Sequence, residues 1–152
     1  MKCNHCYIFM NSWLLLHYTL PAQPSALRVY VWRKLKRLGA ILLNETVWVL
    51  PASSRTVEQF QWLTAEIQER NGEAYLWKSN LVLGIQDDML ISKFNEQVDC
   101  EYRNVQKELS KKNPDLLKLS RQYQQIAGED YFHSELGKQV REKLLSLRGE
   151  TE

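Results

Sequence analysis

The hydrophobic pattern of the chain begins with a nearly continuous apolar run at residues 12–20, which stops before Pro21. A short run of this kind is typical of a strand that is buried inside a sheet. Pro24 fits the first turn of a helix, because its missing N–H would have no partner there. Apolar side chains then recur at helical spacing as far as about residue 38, and Gly39 is a natural stop. These apolar positions are Leu27, Val31, Leu35 and Leu38.

A β-hairpin is predicted next. Two β-rich runs, at residues 40–43 and 46–50, flank the polar pair Asn44-Glu45. Two such runs around a two-residue link are the usual pattern of a hairpin. Pro51 then ends the second strand.

A second helix follows the hairpin. Thr56 has Gln59 three residues later, which is the spacing of a capping box. The helix is predicted to stop at Asn71-Gly72, and residues 73–78 are predicted to form a fourth strand. The apolar face of this helix consists of Val57, Phe60, Leu63 and Ile67.

Three further helices are predicted from Asp87 onward. The first ends at Asn113-Pro114, because proline disfavours helix at the residue before it. The second continues to Gly128, and an aromatic segment at residues 129–133 leads to the third. The apolar stripe of the first helix is Ile91, Phe94, Val98, Tyr102, Val105 and Leu109. The stripes of the other two are Leu116, Leu119, Tyr123 and Ile126, and then Leu136, Val140, Leu144 and Leu147.

The order of these elements predicts an α+β fold. The first part has the order βαββαβ of a ferredoxin-like, four-stranded antiparallel sheet, whose helices would cover one face. We interpret residues 12–80 as this core and residues 87–148 as a helical extension of about three helices. Together they would form one domain over residues 12–152, preceded by an N-terminal extension at residues 1–11.

Composition and charge are those of an ordinary globular protein. The formal net charge is only +2, but residues 1–86 contain 9 Lys and Arg against 5 Asp and Glu, while residues 87–152 contain 11 against 13. The longest apolar run, residues 13–16, is far shorter than a membrane helix, and no signal peptide is recognisable. We therefore expect a cytoplasmic protein that does not bind membranes.

Five cations lie close together on the first helix. Arg33, Lys36 and Arg37 are predicted to lie opposite its apolar stripe, with Trp32 on the flank. A row of solvent-facing cations is suited to contact with phosphates or another oxyanion. A solvated helix face, with cations near the negative end of the helix dipole, explains the same pattern. The full set is Arg28, Arg33, Lys34, Lys36 and Arg37.

A weak metal or redox motif lies at the N-terminus. Cys3 and Cys6 have the spacing of a zinc half-site or a redox pair, with His5 between them. The motif precedes the first strand, and the remaining cysteine, Cys100, stands apart from it in a predicted helix. Translation beginning at Met10 rather than Met1 would remove the pair, so we assign no metal and no cofactor.

No catalytic constellation is recognisable in the sequence. It contains no phosphate-binding loop and no nucleophile or metalloprotease motif. His17 is predicted to be a hydrogen-bonded histidine in or beside the core. The pair Asp87-Asp88 is explained by its position at a helix start. We therefore predict that the protein is not an enzyme.

Several segments of the chain resemble a known family. Residues 13–40 resemble the opening of the N-terminal domain of ChrB-type chromate-resistance proteins, and Val47-Trp-Val-Leu-Pro51 continues the resemblance. Further along, Arg55-Thr56, Glu58-Gln-Phe60, Trp62-Leu63 and Asp130-Tyr-Phe132 are also similar to this family. The resemblance covers nearly the whole chain from about residue 12. The opening strand and helix are similar to the Cas2-like domain of PaaX-type repressors.

The resemblance implies a chromate-responsive regulator of a chromate efflux operon. Under it, the cations of the first helix become candidates for DNA contact or for holding an oxyanion, and chromate becomes a candidate ligand. Ferredoxin-like sheets often pair edge to edge, so a homodimer is expected. Full-length ChrB has a further C-terminal domain. Chromate sensing is therefore expected either from this chain alone or from a separately encoded partner.

Two other functions compete with DNA binding. The chain can instead be an interaction or accessory domain that binds a partner protein through the long helix from Asp87. The enzymatic alternatives are a metal-dependent nuclease and a chromate reductase. A nuclease needs a carboxylate at the end of the first strand, where this sequence has His17-Tyr-Thr-Leu20, and a reductase would depend on Cys3 and Cys6.

Overall fold

The computed structural model, which we describe over residues 12–149, contains two compact units. The division lies between Asp87 and Asp88. The first unit contains β1 (Trp13–Thr19), α1 (Ser25–Arg37), β2 (Ile41–Asn44), β3 (Val47–Pro51), α2 (Ser54–Glu69) and β4 (Glu73–Ser79). The helices that follow are α3 (Asp87–Leu109), α4 (Leu116–Ala127) and α5 (Glu135–Gly149). The predicted α+β fold class and the βαββαβ order are confirmed.

β1 is an inner strand of the sheet, whose order is β2-β3-β1-β4. It pairs antiparallel with β3 on one side and with β4 along its whole length on the other. Leu14 and Leu16, which share one face of the strand, are almost completely buried. The apolar run therefore forms a buried inner strand, as the sequence predicts.

The hairpin turn lies one residue later than the sequence predicts. Its link is Glu45-Thr46, and Asn44 belongs to β2, where it pairs with Val47. The side-chain oxygen of Asn44 accepts the backbone N–H of Thr46 at 3.4 Å, which supports the turn locally. The pairing shifts between Leu42 and Asn44, so Leu43 is an extra residue in β2, as in a β-bulge.

The predicted capping box at Thr56 and Gln59 is wrong. Ser53 is the N-cap of α2, and Thr56 is the third helical residue. The Ser53 side chain accepts the Thr56 N–H at 3.1 Å, while Thr56 Oγ1 accepts the Ser53 N–H at 2.9 Å. The Thr56 hydroxyl is buried and donates to the Pro51 carbonyl at 2.6 Å. Thr56 therefore acts inside the helix and ties its first turn to the end of β3.

Both helices of the first unit end in the same way. Gly39 follows α1 with φ 75°, and Asn71 follows α2 with φ 63°. In each case the next residue donates its N–H back into the helix, Ala40 to Leu35 at 3.1 Å and Gly72 to Ile67 at 2.9 Å. This is a Schellman motif, which needs a left-handed residue that glycine and asparagine adopt most easily. The predicted stops are confirmed.

Most predicted apolar positions of the helices are buried. The exceptions, which are only partly buried, are Leu38, Val57, Ile91, Leu116, Tyr123, Leu136 and Leu147. Thr56 on α2 and Leu90 on α3 are buried instead. All of them except Tyr123 lie near an end of their helix. At a helix end, which side chains are buried depends on the neighbouring elements that the terminal turn contacts, and not on helical spacing alone.

The helical unit has its own core. The buried aromatic ring of Tyr102 on α3 lies against Gly137 on α5. A Cβ added at Gly137 would lie 2.7–2.9 Å from atoms of that ring, so α5 approaches Tyr102 only because residue 137 has no side chain. The remaining core residues are Val98, Val105, Leu109, Leu119, Ile126, Val140 and Leu144.

We predict that Gly137→Ala destabilises the protein by about 1–3 kcal/mol, because the added methyl group overpacks the contact with Tyr102. Alanine inside a helix normally stabilises by about 1 kcal/mol relative to glycine, so the expected sign is opposite to that of helix propensity. Chemical denaturation measures the change. Gly149→Ala is the matched control, because an added Cβ there meets nothing within 4 Å. Equal effects of the two substitutions would contradict the packing argument.

Candidate nucleic-acid interface

The exposed surface of α1 carries a cluster of cations, with Arg33, Lys36 and Arg37 opposite the buried side and Arg28 on one flank. Arg28, Arg33, Lys36 and Arg37 are all exposed, and the helix buries Leu27, Val31 and Leu35 on its other side. Within residues 12–149, no salt bridge involves any of these four cations. We call these four residues the α1 basic face. Their charges are not neutralised by carboxylates of the described chain and are therefore available to an anion.

Lys34, the fifth candidate, differs from the other four. Its ammonium lies 2.6 and 2.8 Å from the two carboxylate oxygens of Glu66 on α2. Burial alone would lower the pKa of Lys34, but the hydrogen bonds and charge interactions with Glu66 and Tyr30 together outweigh it and raise the pKa. Lys34 thus stays charged, yet its charge is used to join α1 to α2. It is not part of the α1 basic face.

The bond between α1 and α2 includes two more side chains. The Tyr30 hydroxyl donates to Glu66 Oε2 at 3.0 Å. The guanidinium carbon of Arg70 lies 4.9 Å from the centroid of the Tyr30 ring, which is a cation–π distance. We call Tyr30, Lys34, Glu66 and Arg70 the α1–α2 clamp. Sequence spacing could not reveal it, because its members are 32 and 36 residues apart along the chain.

An aromatic side chain accompanies the α1 basic face. Trp32 is 50% exposed, and Val29 on the same side is 47% exposed. The ammonium of Lys36 lies 5.8 Å from the centroid of the Trp32 ring. A half-exposed indole beside cations can contact a sugar or a base while the cations contact phosphates. The geometry therefore suits a nucleic-acid backbone better than it suits an apolar partner.

The other candidates from the sequence do not join this face. His17 is exposed on β1, with its ring 6.3 Å from that of Tyr75, so the prediction that it lies in or beside the core is wrong. Its position in β1 explains this, because residue 17 alternates with the buried Leu16. Asp87 accepts the indole N–H of Trp13 at 2.9 Å. Cys3, His5 and Cys6 lie outside the described residues.

Metal and membrane sites are not seen in the described part of the chain. No group of three or more His, Cys, Asp or Glu side chains among residues 12–149 is arranged to hold a metal ion. None of the helices described is long and apolar enough to cross a membrane.

The helical unit contains a cleft of about 620 Å³. Its floor is a hydrogen-bond network in which the buried Tyr102 hydroxyl donates to Asp130 at 3.1 Å. The Ser134 N–H also donates to Asp130, and the Ser134 hydroxyl donates to Asp99. Burial, followed by the nearby Asp130 carboxylate, raises the pKa of Tyr102 well above its ordinary range. The Tyr102 hydroxyl therefore keeps its proton, and the hydrogen bonds of the network join α3 to the start of α5.

The rim of this cleft carries charges of both signs, including Lys138, Arg141 and Glu142. This mixed charge gives the cleft no preference for anions. The family resemblance at Asp130-Tyr-Phe132 lies in this segment. The role of Asp130 depends on its hydrogen bonds with Tyr102 and Ser134, so the local sequence alone could not predict it.

Comparison with known families decides the assignment. The family model described as "Protein ChrB, N-terminal" matches residues 28–106, which is more than half of the chain. The chain belongs to the ChrB N-terminal family. The match begins at Arg28 and includes the whole α1 basic face, the sheet from β2 onward and most of α3.

A curated relative supports the same family. Protein ChrB of Cupriavidus metallidurans is 26% identical to this chain over 93 residues, which are 61% of this chain and 25% of the relative. The matched region is thus about a quarter of the length of that ChrB. No solved structure is significantly similar to the chain.

We predict that Glu66→Gln lowers the free energy of unfolding by up to about 1 kcal/mol at neutral pH, the range of a partly exposed ion pair. Burial alone would raise the pKa of Glu66, but hydrogen bonds from Lys34 and Tyr30 outweigh it and lower the pKa. A carboxyl with a lowered folded-state pKa stabilises the protein above its unfolded pKa, and this contribution is lost as the pH falls through the folded pKa. The difference between the two proteins should therefore shrink below about pH 4.5, the ordinary value.

Urea denaturation between neutral and acid pH measures this difference. Glu108→Gln is the control, because Glu108 pairs with the exposed Lys111 three residues away, just beyond the end of α3. A difference for Glu66→Gln that stays constant with pH would show that the clamp is not electrostatic.

Proposed function

We propose that this chain is a chromate-resistance regulatory protein that binds the promoter DNA of a chromate efflux operon through the α1 basic face. The observation that carries the proposal is the set of four exposed cations that form no ion pair within residues 12–149. Membership in the ChrB family supports the connection with chromate resistance. The proposed role is non-enzymatic, and the active form is a homodimer.

The chemistry of DNA binding follows from the geometry of α1. A helix of 13 residues is about 20 Å long, so its cations can follow several successive phosphates. Arg33, Lys36 and Arg37 project from one side, and guanidinium groups bind phosphate oxygens with two hydrogen bonds each. Neutralised phosphates release counterions, which makes the affinity depend steeply on salt. A two-fold dimer would present this face twice.

Chromate acts, in this proposal, as a competing oxyanion. It carries two negative charges on oxygens arranged around one centre, as a phosphate group does, and the same cations can hold it. Binding of chromate to the α1 basic face would then lower the affinity for DNA, because one charge cluster cannot neutralise both anions. Regulation needs no bond to be made or broken under this scheme.

A second candidate is an accessory domain that binds a separately encoded partner protein. It is favoured by exposed apolar side chains on the helical unit, such as Leu117 at 60% and Leu145 at 56%. In that case the chain supplies one part of a larger regulator, and DNA affinity is absent from the chain alone.

We predict that the double variant Arg33→Ala with Arg37→Ala binds promoter DNA more weakly and reduces the slope of log affinity against log salt by about 2 per protomer, and so by about 4 for the dimer, since each lost phosphate contact removes about 0.9. Fluorescence anisotropy at several salt concentrations measures this slope. Arg103→Ala with Arg121→Ala is the control, because it removes the same charge from exposed positions of the helical unit.

An unchanged slope in the α1 variant would overturn the assignment of the interface. Absence of DNA affinity in the wild-type chain, together with capture of a purified partner, would favour the accessory-domain function.

We predict further that chromate lowers the DNA affinity of the wild-type protein more than chloride does at equal ionic strength, because a dianion of phosphate-like shape competes for the α1 basic face. Chloride measures the general salt effect, and sulfate, a dianion of the same shape as chromate, should compete as chromate does. The same anisotropy titration, repeated with each anion, gives the comparison. Equal effects of chromate and chloride would contradict competition at the α1 basic face.

A further inference from the structure

The outer edge of β4 is the longest edge of the sheet without a neighbouring strand among the described residues. Among the described residues, β4 pairs only with β1, so one side of its seven-residue backbone has no strand neighbour. A regular edge of this length presents a row of N–H and C=O groups that can pair with another strand. The opposite edge differs, because β2 has only four residues and contains the Leu43 irregularity.

Large apolar side chains surround this open edge. Tyr75 and Trp77 lie on the same face of β4, and their side chains are 53% and 58% exposed. Val82 and Leu83, which follow the strand, are 93% and 92% exposed. Exposed apolar surface of this extent usually marks an interaction site.

The charge of this face distinguishes between possible partners. The face that carries Tyr75 and Trp77 is formed by alternate residues of β1 and β4. From β1 these are Trp13, Leu15, His17 and Thr19, and from β4 they are Glu73, Tyr75, Trp77 and Ser79. The set contains no lysine or arginine. A surface that stacks single-stranded nucleic acid combines its aromatic rings with a positively charged groove. The face of Tyr75 and Trp77 lacks such a groove and instead suits an apolar protein surface.

We propose that this edge binds a second copy of the chain, through antiparallel pairing of β4 with β4 across a two-fold axis at Leu76. Leu76 is the centre of the strand Glu73–Ser79, so this register pairs every residue of one strand with a residue of the other. It places Tyr75 opposite Trp77 of the second copy, and Trp77 opposite Tyr75. Two cross-strand aromatic pairs therefore form on one face.

The same register also brings the segment after β4 to the second copy. Because the two strands run in opposite directions, Val82 and Leu83 of one copy extend past the first residues of β4 in the other copy. This contact supplies the dimer used in the proposed function, but it involves no cation of the α1 basic face, so the two proposals can fail separately.

The test is a pair of charge substitutions that are specific for the register. Tyr75→Glu or Trp77→Lys alone removes both aromatic pairs of the dimer, and each should raise the dimer dissociation constant roughly tenfold or more. In the double variant, the carboxylate introduced at position 75 faces the ammonium introduced at position 77 of the second copy. The double variant should therefore recover most of the lost affinity at low salt and lose it again at high salt.

Analytical ultracentrifugation of the full chain over a concentration series, without DNA, gives these constants, and circular dichroism confirms folding. Trp62→Lys is the matched control, because Trp62 is a 65% exposed tryptophan on α2, away from β4. A wild-type chain that stays monomeric would overturn the proposal. So would a double variant as weak as the single ones, or equal weakening by Trp62→Lys. Loss of oligonucleotide binding in Trp77→Lys without any change in association would show instead that this face binds nucleic acid.

Discussion

β1 must satisfy backbone hydrogen bonds along both edges while it buries Leu14 and Leu16, and the rest of the first unit follows from this requirement. An inner strand needs two neighbours, and β3 and β4 supply them in antiparallel orientation. Each neighbour is reached through a helix, α1 before the hairpin and α2 before β4. The helices must bury their apolar stripes to be stable, so the polar residues of α1 are left to face water.

The division of the cations on α1 is a consequence of this packing. Lys34 lies on the flank that meets α2, where its ammonium donates to the Glu66 carboxylate, which also accepts the Tyr30 hydroxyl. The α1–α2 clamp therefore uses one cation for structure and fixes the rotation of α1 about its own axis. With that rotation fixed, Arg33, Lys36 and Arg37 point outward together. A positive surface is thus held in place by a negative side chain on a neighbouring helix.

Features with a local cause could be predicted from the sequence, and features that depend on distant residues could not. The helix stops at Gly39 and Asn71-Gly72 need only a left-handed residue, and they were predicted correctly. The hairpin turn was misplaced by one residue, because Asn44 pairs with Val47 and leaves Leu43 as an extra residue. The capping box lies at Ser53 and Thr56 rather than at Thr56 and Gln59, because the Thr56 hydroxyl donates to the Pro51 carbonyl from inside the first turn. Exposure of the α1 basic face was predicted from spacing, whereas the separate role of Lys34 required Glu66.

The extra residue in β2 has a consequence for the size of any assembly. A sheet with two regular edges can add copies on both sides and grow without limit, as fibres do. Here one edge is short and distorted by Leu43, while the other is long and regular. Growth by strand addition can therefore occur on one side only, and two copies that join by that side leave no regular edge for a third.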